Sequence, residues 1–291
     1  MERLKKKRDI TPYLMVLPLA ILFFIFHTVP FLRGVFYSFT DWPGYGSWHF
    51  VGLRNYLYMF SNSQISQAYW FTFKFALFAT IFVNAISLAL AVGLNANIKY
   101  KKILRALYFL PYMMGMLIVG FIFNFIFGTM IPNFGKALDW SSISTNILGT
   151  DHAWIGILIV TIWQGMAFNI LIYLSGLQSI DDEIYEAALI DGTTPWKRFW
   201  KITFPLIAPF FTINLVLSVK GYLMVFDQIM AMTSGGPGNS TTSISVLIYT
   251  QGFQSSQFAI QSANAVVLFI IVAAISLLQL NILNKREERL Q

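Results

Sequence analysis

Apolar residues run along the 291-residue chain in six blocks, at 12–39, 69–96, 104–128, 153–177, 202–231 and 260–284. Each is long enough to cross a bilayer as a helix, which takes about 20 residues. Pro18 and Pro30 in the first block and Pro111 in the third are tolerated in membrane helices and predict kinks rather than breaks. Three of the intervening stretches fall on one side. Residues 40–68 are aromatic and contain glycine, 129–152 are short and polar, and 232–259 carry the uncharged, turn-rich run SGGPGNSTT. None is long enough to hold a substantial extra domain. The pattern predicts an all-α fold, a polytopic membrane bundle of six transmembrane helices. The basic MERLKKKRDI ahead of the first block superficially suggests a signal peptide. The block is too long for a signal's apolar core, however, and no small-residue cleavage site follows promptly, so it reads as an uncleaved first helix.

Composition supports a lipid solvent: 56% of residues are hydrophobic, 28 are Phe, and only 11% are charged, against roughly 25% in an ordinary soluble domain. The formal charge of +7 would suggest nucleic acid in a soluble protein, but the cations stand in short blocks flanking apolar segments, and no nucleic-acid partner is implied. Segments 1–11, 97–103, 178–201 and 285–291, with the adjoining helix ends, hold Arg3, Lys5, Lys6, Lys7, Arg8, Lys99, Lys101, Lys102, Arg105, Lys197, Arg198, Lys201, Lys285, Arg286 and Arg289. The opposite loops hold only Arg54 and Lys136, and Arg33, Lys74 and Lys220 lie within spans. Basic residues prefer the cytoplasmic side. The domain layout is therefore a cytoplasmic segment 1–11, a membrane domain 12–284 and a cytoplasmic tail 285–291.

The chemistry that is missing is also informative. Without Cys there is no disulfide or thiolate site, and His27, His49 and His152 show no metal spacing, so each reads as an interfacial or packed residue. No phosphate loop G-x-x-x-x-G-K-[ST], H-E-x-x-H or G-x-S-x-G occurs. The chain is not expected to be an enzyme, nor to bind a cofactor or metal.

The most informative polar stretch is 179–209. Ser179 is a plausible helix N-cap, with Asp181, Asp182 and Glu183 in the first turn, where acids suit the helix dipole. Ile180, Ile184, Ala187 and Ala188 form an apolar stripe at helical spacing. Gly192 is placed to end that helix, and Thr194 and Pro195 look like the cap and first residue of a second one. Small Ala187 and Ala188 would let another surface come close. Physically, the loop is either an amphipathic segment on lipid headgroups or a docking site for a protein.

The residues Glu186-Ala187-Ala188, Asp191-Gly192, Phe199, Ile202, Pro205 and Pro209 resemble the EAA loop of ABC importer permeases. Thr193 stands where Ala is usual and Phe204 where Leu is usual. Further stretches resemble the carbohydrate branch typified by the larger maltose permease subunit: SFTDW at 38–42 with VGLRNY at 51–56, RAL and FLPY at 105–112, and TSGGP at 233–237 with Thr241 following. The extra helices and large outer domain of that subunit are lacking. The resemblance implies a type I ABC importer permease in a bacterial cytoplasmic (inner) membrane, with a cytoplasmic coupling helix. Glu186, Ala187, Ala188, Asp191 and Gly192 would dock a cytoplasmic ATPase. It further implies a second, homologous permease subunit in a heterodimer, two ATP-binding cassette subunits that use ATP and Mg, and an extracytoplasmic sugar-binding protein.

A sugar site in a helix bundle is expected near the midplane between helices. Thr161, Gln164, Gly165 and Phe168 share one face of the fourth helix, and Phe211, Asn214, Ser218, Tyr222 and Val225 one face of the fifth. The resemblance places sugar contacts on Thr161, Gln164, Gly165, Phe168, Ser218, Tyr222 and Val225. Ordinary interhelical packing would favour the same small and polar residues. Neither face carries Lys or Arg, which a glycerol phosphate ester would want, so a neutral sugar is expected. A secondary transporter would need intramembrane acids, and only Asp227, near a helix end, is available. Lys220, seven residues from Asp227 and opposite Ser218, is expected to pair with another helix or with the partner subunit.

Overall fold

A computed structural model describes residues 11–96 and 99–287. Arg3, Lys5, Lys6, Lys7, Arg8 and Arg289, with the segments 1–10 and 288–291, lie outside the described residues. The chain divides into two compact units, one built from residues up to Ser61 with 248–267, the other from 62–247 and the residues from Leu268 onward.

In the first unit, α1 (Thr11–Phe23) passes through a π-helical turn at Phe24–Thr28 into α2 (Val29–Tyr37). The apolar rod Leu14–Tyr37 has 24 residues, or about 36 Å at 1.5 Å per residue, enough to span hydrocarbon. Its large side chains point outward, among them Leu14, Leu19, Phe23 and Phe26, as lipid contact allows. Beyond it the chain turns back through α3 (Arg54–Ser61). Buried Asn55 clamps the turn, donating to the carbonyls of Ser38 (2.8 Å) and Thr40 (2.7 Å). Trp42 stacks on Tyr37 at 4.0 Å, and its carbonyl accepts from the Ala259 amide at 3.0 Å.

The second unit opens with α4 (Ser63–Asn95), capped by Asn62, whose side chain accepts from the Gln64 and Ile65 amides. There follow α5 (Lys101–Met113), α6 (Met116–Phe125), a π segment Ile126–Met130, α7 (Ile131–Ala137), α8 (Ala153–Gln178), α9 (Asp182–Ile190), α10 (Pro195–Arg198), a π segment Phe199–Thr203, α11 (Phe204–Leu206), α12 (Ala208–Leu223), α13 (Asp227–Met232) and α14 (Ile244–Tyr249). The last helix, α15 (Phe258–Glu287), contributes its first turns to the first unit and the rest to the second. Helices α4 and α8 pack along one another, with α12 against α4, α5 against α8 and α13 against α6. Phe75, Ala79, Ile157, Val160, Ile229 and Met232 form one apolar core, and Ala91, Leu94, Ile170, Tyr173, Leu174 and Ile207 another. Close approach needs small residues: a Cβ on Gly176 would stand 2.6 Å from the Phe210 ring.

Among the described residues, five helices are long and apolar enough to span, and Pro195–Leu206 with Ala208–Leu223, a pair bent by 71°, makes six when counted as one span. The bend falls at Ile207, between Pro205 and Pro209, which remove two helical donors and crowd the preceding turns. Two spans depart from expectation. The third runs Met116–Ala137 and not 104–128, because the helix breaks at Met114 and Gly115 and α5 is a separate helix. The fifth stops at Leu223, so Lys220 and Asp227 belong to different helices, in the last turn of α12 and the first turn of α13. A cation at a helix C-terminus and an anion at an N-terminus both suit the helix dipole. Within the spans, Lys74 lies over the Trp154 ring at 3.9 Å.

Candidate functional site

The loop 179–209 is held by local geometry. Ser179 does not cap α9; it ends α8, donating its hydroxyl to the Gly176 carbonyl at 2.8 Å, and Asp181 takes the N-cap position without a side-chain bond. Asp182 and Glu183 occupy the first turn as expected. At the other end Gly192 adopts φ +65°. The Gly192 amide donates to the Leu189 carbonyl and the Thr193 amide to that of Ala188, both at 3.0 Å. This is the Schellman pattern, which needs a residue free to turn left-handed. The Thr193 hydroxyl adds a second bond to the Ala188 carbonyl. Thr194 then caps α10, with Pro195 at its first position.

The expected apolar stripe does not face inward as a whole. Ala188 is buried and Ile180 joins the core around Tyr173, but Ile184 and Ala187 are exposed. Leu189 (60%) and Ile190 (88%) stand in the open, and Glu186, Asp191 and Gly192 are exposed beside them. Tyr185 anchors the helix from behind: its hydroxyl meets that of Thr203 at 3.2 Å, and the Arg198 guanidinium covers its ring. The loop therefore presents an apolar edge flanked by the acids Glu186 and Asp191 on a short, rigid helix.

Within the second unit the candidate pathway residues gather around α8. Thr161, Gln164, Ser218 and Val225 are buried. Gln164 reaches the break between α5 and α6, where its amide donates to the carbonyls of Met114 (3.0 Å) and Pro111 (3.4 Å), while Oε1 is buried without a partner among the described residues. Phe168 stacks on Tyr112 at 5.5 Å between centroids. Gly165 leaves room for the Tyr222 hydroxyl, which any Cβ there would strike. Val225 sits in the break between α12 and α13, and the Ser243 hydroxyl satisfies its carbonyl at 2.7 Å. Thr161 bonds back to the Ile157 carbonyl of its own helix.

Ser218 is one member of a buried network that sequence reasoning did not assemble. Its Oγ accepts from the side-chain amides of Asn84 and Asn169, both at 3.1 Å. Asn84 also donates to the Thr80 carbonyl and accepts from the Tyr173 hydroxyl at 2.7 Å. Asn214 donates to the Asn169 carbonyl at 3.1 Å. Three helices are tied together this way. The available signal was an Asn in each of three apolar blocks, since amide side chains bond across membrane helices.

Residues 84–289 match the family described as "Binding-protein-dependent transport system inner membrane component". The chain is 34% identical over 281 residues to the probable starch degradation products transport system permease protein of Thermoanaerobacterium thermosulfurigenes, covering 97% of this chain and 96% of that one. It is 38% identical to the multiple sugar-binding transport system permease protein of Streptococcus mutans, covering 94% of each. It is 32% identical to the sn-glycerol-3-phosphate transport system permease protein of Escherichia coli, covering 92% of each. A bacterial alginate ABC transporter, solved with an alginate pentasaccharide-bound periplasmic protein, contains a chain of the same fold with TM-score 0.84 and 25% identity, covering 98% of this chain and 99% of that one. With six apolar spans, a capped exposed loop and these relatives over nearly its whole length, the chain belongs to the family of binding-protein-dependent transport system inner membrane components, and is an ABC transporter permease.

Proposed function

We propose that this permease carries a neutral sugar or oligosaccharide inward, as one half of a heterodimeric pathway with both termini cytoplasmic. The observation that carries the coupling is α9, a short helix locked by a Schellman turn and turned outward with Glu186, Leu189 and Ile190 exposed. A rigid exposed helix is suited to transmit force from a cytoplasmic ATPase. Separate ATP-binding cassette subunits would bind ATP and Mg and hydrolyse the nucleotide; this chain does no covalent chemistry. An extracytoplasmic binding protein would deliver the sugar.

For the pathway, Thr161, Gln164, Gly165, Phe168, Ser218, Tyr222 and Val225 supply amide, hydroxyl and aromatic groups and no charge. Irregular backbone at membrane depth is tolerated where it is buried in protein or lines a cavity, and transporters use such breaks to build substrate sites. Two breaks, at 114–115 and 224–226, meet side chains of this set. The unpaired Oε1 of Gln164 is an acceptor suited to a sugar hydroxyl. A glycerol phosphate ester is the second reading, favoured by the Escherichia coli relative, though the set offers no cation for a phosphate.

The test is uptake into vesicles carrying the co-expressed complex, with labelled maltooligosaccharides and labelled glycerol 3-phosphate compared. Sugar uptake should require ATP and the binding protein, and fall at least tenfold in Glu186→Lys while the chain remains inserted. Preference for glycerol 3-phosphate overturns the sugar reading. Uptake without ATP, or indifferent to Glu186→Lys, overturns the coupling role of α9.

A further inference from the structure

At the end of the second unit where α4 and α8 finish and α5 begins, a cleft of about 110 Å³ lies between α5 and α8, lined in part by Arg105, Tyr108, Leu171, Ser175 and Gln178. Nε and Nη2 of Arg105 are buried and have no hydrogen-bond partner among the described residues. No carboxylate pairs with Arg105 among those residues either, and none lines the cleft. The C-terminal turn of α8 is an environment favourable to a cation, yet no acceptor among the described residues bonds those two nitrogens. A guanidinium cannot shed its charge by deprotonation, so two enclosed donors of a half-buried guanidinium without an acceptor call for an anion to complete them.

The neighbouring groups specify which anion. Tyr108, Ser175 and Gln178, whose side chains carry donors, line the same cleft. Lys101, one turn before Arg105 on the same face of α5, adds positive potential, as does exposed Lys102. Convergent donors around a planar fork match the several oxygens of a phosphate group better than the two of a carboxylate. Apolar side chains complete the lining, Phe109 on α5 and exposed Leu171 on α8 among them, and α5 carries exposed Leu107 and Leu110 on its other faces. A charged cleft at the helix ends beside an outward apolar surface has the layout of a headgroup site with room for acyl chains.

We infer that the Arg105 cleft binds a phosphate group, supplied by an anionic phospholipid of the cytoplasmic leaflet. The phosphate bridges α5 to the last turn of α8, directly ahead of α9. The occupied cleft thus braces the base of the coupling loop. This inference does not depend on the identity of the transported solute.

Native mass spectrometry of the full chain in its co-expressed complex tests it, with phosphatidylglycerol and phosphatidylcholine offered in equal amounts and inorganic phosphate added separately. Phosphatidylglycerol should be retained over phosphatidylcholine, and Arg105→Gln should lower its retention about tenfold while Lys102→Gln lowers it by less than twofold. Retention of inorganic phosphate lost in Arg105→Gln, with no lipid preference, keeps the phosphate site but replaces the lipid as its source. If Arg105→Gln fails to assemble, the pair Ser175→Val and Gln178→Leu leaves the charge and should still reduce retention several-fold. Equal retention by wild type and variants overturns the inference. So does rescue of Arg105→Glu by a single basic substitution in the second permease subunit, which would give the guanidinium a protein partner.

Discussion

The loop around α9 and the interior around Asn84 solve opposite problems with the same groups. In the loop, polar atoms are satisfied by the backbone a few residues away: Gly192 and Thr193 donate back to Leu189 and Ala188. The apolar residues Leu189 and Ile190 are left in the open. In the interior, polar side chains are satisfied across helices far apart in sequence, with Asn84 on α4 reaching Ser218 on α12 and Tyr173 on α8. Apolar residues there are enclosed. The loop can be rigid without neighbours, which is what a helix meant to meet another protein requires. The interior is specific only when all its parts are assembled. Breaking the interior should therefore cost stability, and breaking the loop should cost coupling.

The largest effect is expected from Asn84→Leu. It removes bonds to Thr80, Ser218 and Tyr173 together and leaves a buried tyrosine hydroxyl without its acceptor. Interhelical hydrogen bonds in membranes contribute on average less than about 1 kcal/mol each, so the loss should be about 2 kcal/mol. Thermal unfolding of the purified complex in detergent reads it directly. Asn84→Gln should not restore it, because the added methylene has no space beside the enclosed Val83 and Ser87. Wild-type stability in Asn84→Leu would mean that the network is incidental to packing.

This contrast also explains what the sequence disclosed. The Gly192 stop, the Thr194 and Pro195 start and the first-turn acids Asp182 and Glu183 are local signals, and the structure has them, with Asp181 one place earlier at the N-cap. Ser179 is ambiguous in the sequence because a hydroxyl can end one helix as readily as begin the next, and here the Gly176 carbonyl is its partner. The six apolar blocks were legible from hydropathy, but the break at 114–115 was not. Pro111 is compatible with a kink, and what opens the chain is met by Gln164, fifty residues further on, donating to the exposed carbonyls. The end of α12 at Leu223 is similar, since Ser243 is needed to satisfy Val225. Asn169 and Asn84 carry no spacing that pairs them, and only the packing of α4 on α8 does so.

An intermediate effect is expected at Gly192. Nothing lies within 4 Å of a Cβ built there, so a side chain meets no obstacle and the whole cost is backbone conformation at φ +65°. For the β-branched Gly192→Val this is about 1–2 kcal/mol, enough to unwind the Schellman turn or swing α9. Uptake should fall about tenfold while the melting temperature changes little, the reverse of Asn84→Leu. Gly192→Asn, which tolerates the left-handed region, should recover most of the activity. A stability loss as large as that of Asn84→Leu would show the loop to be part of the core.

The smallest effect, and the sharpest discrimination, is expected from Thr193→Ala. The loop has two bonds to the Ala188 carbonyl from this residue, one from the amide and one from the hydroxyl. If the turn is held by backbone geometry, the amide bond survives the substitution and the loss is that of one part-buried neutral hydrogen bond, about 0.5–1 kcal/mol. Uptake should then stay within twofold of wild type. If the hydroxyl instead holds α9 in place, Thr193→Ala should resemble Gly192→Val in uptake, and Thr193→Ser, which keeps the hydroxyl, should separate from it. Vesicle uptake with all three variants side by side distinguishes the two. The expected order, Thr193→Ser equal to Thr193→Ala and both far above Gly192→Val, would assign the rigidity of the loop to its main chain, which is why a motif of so few residues can specify it.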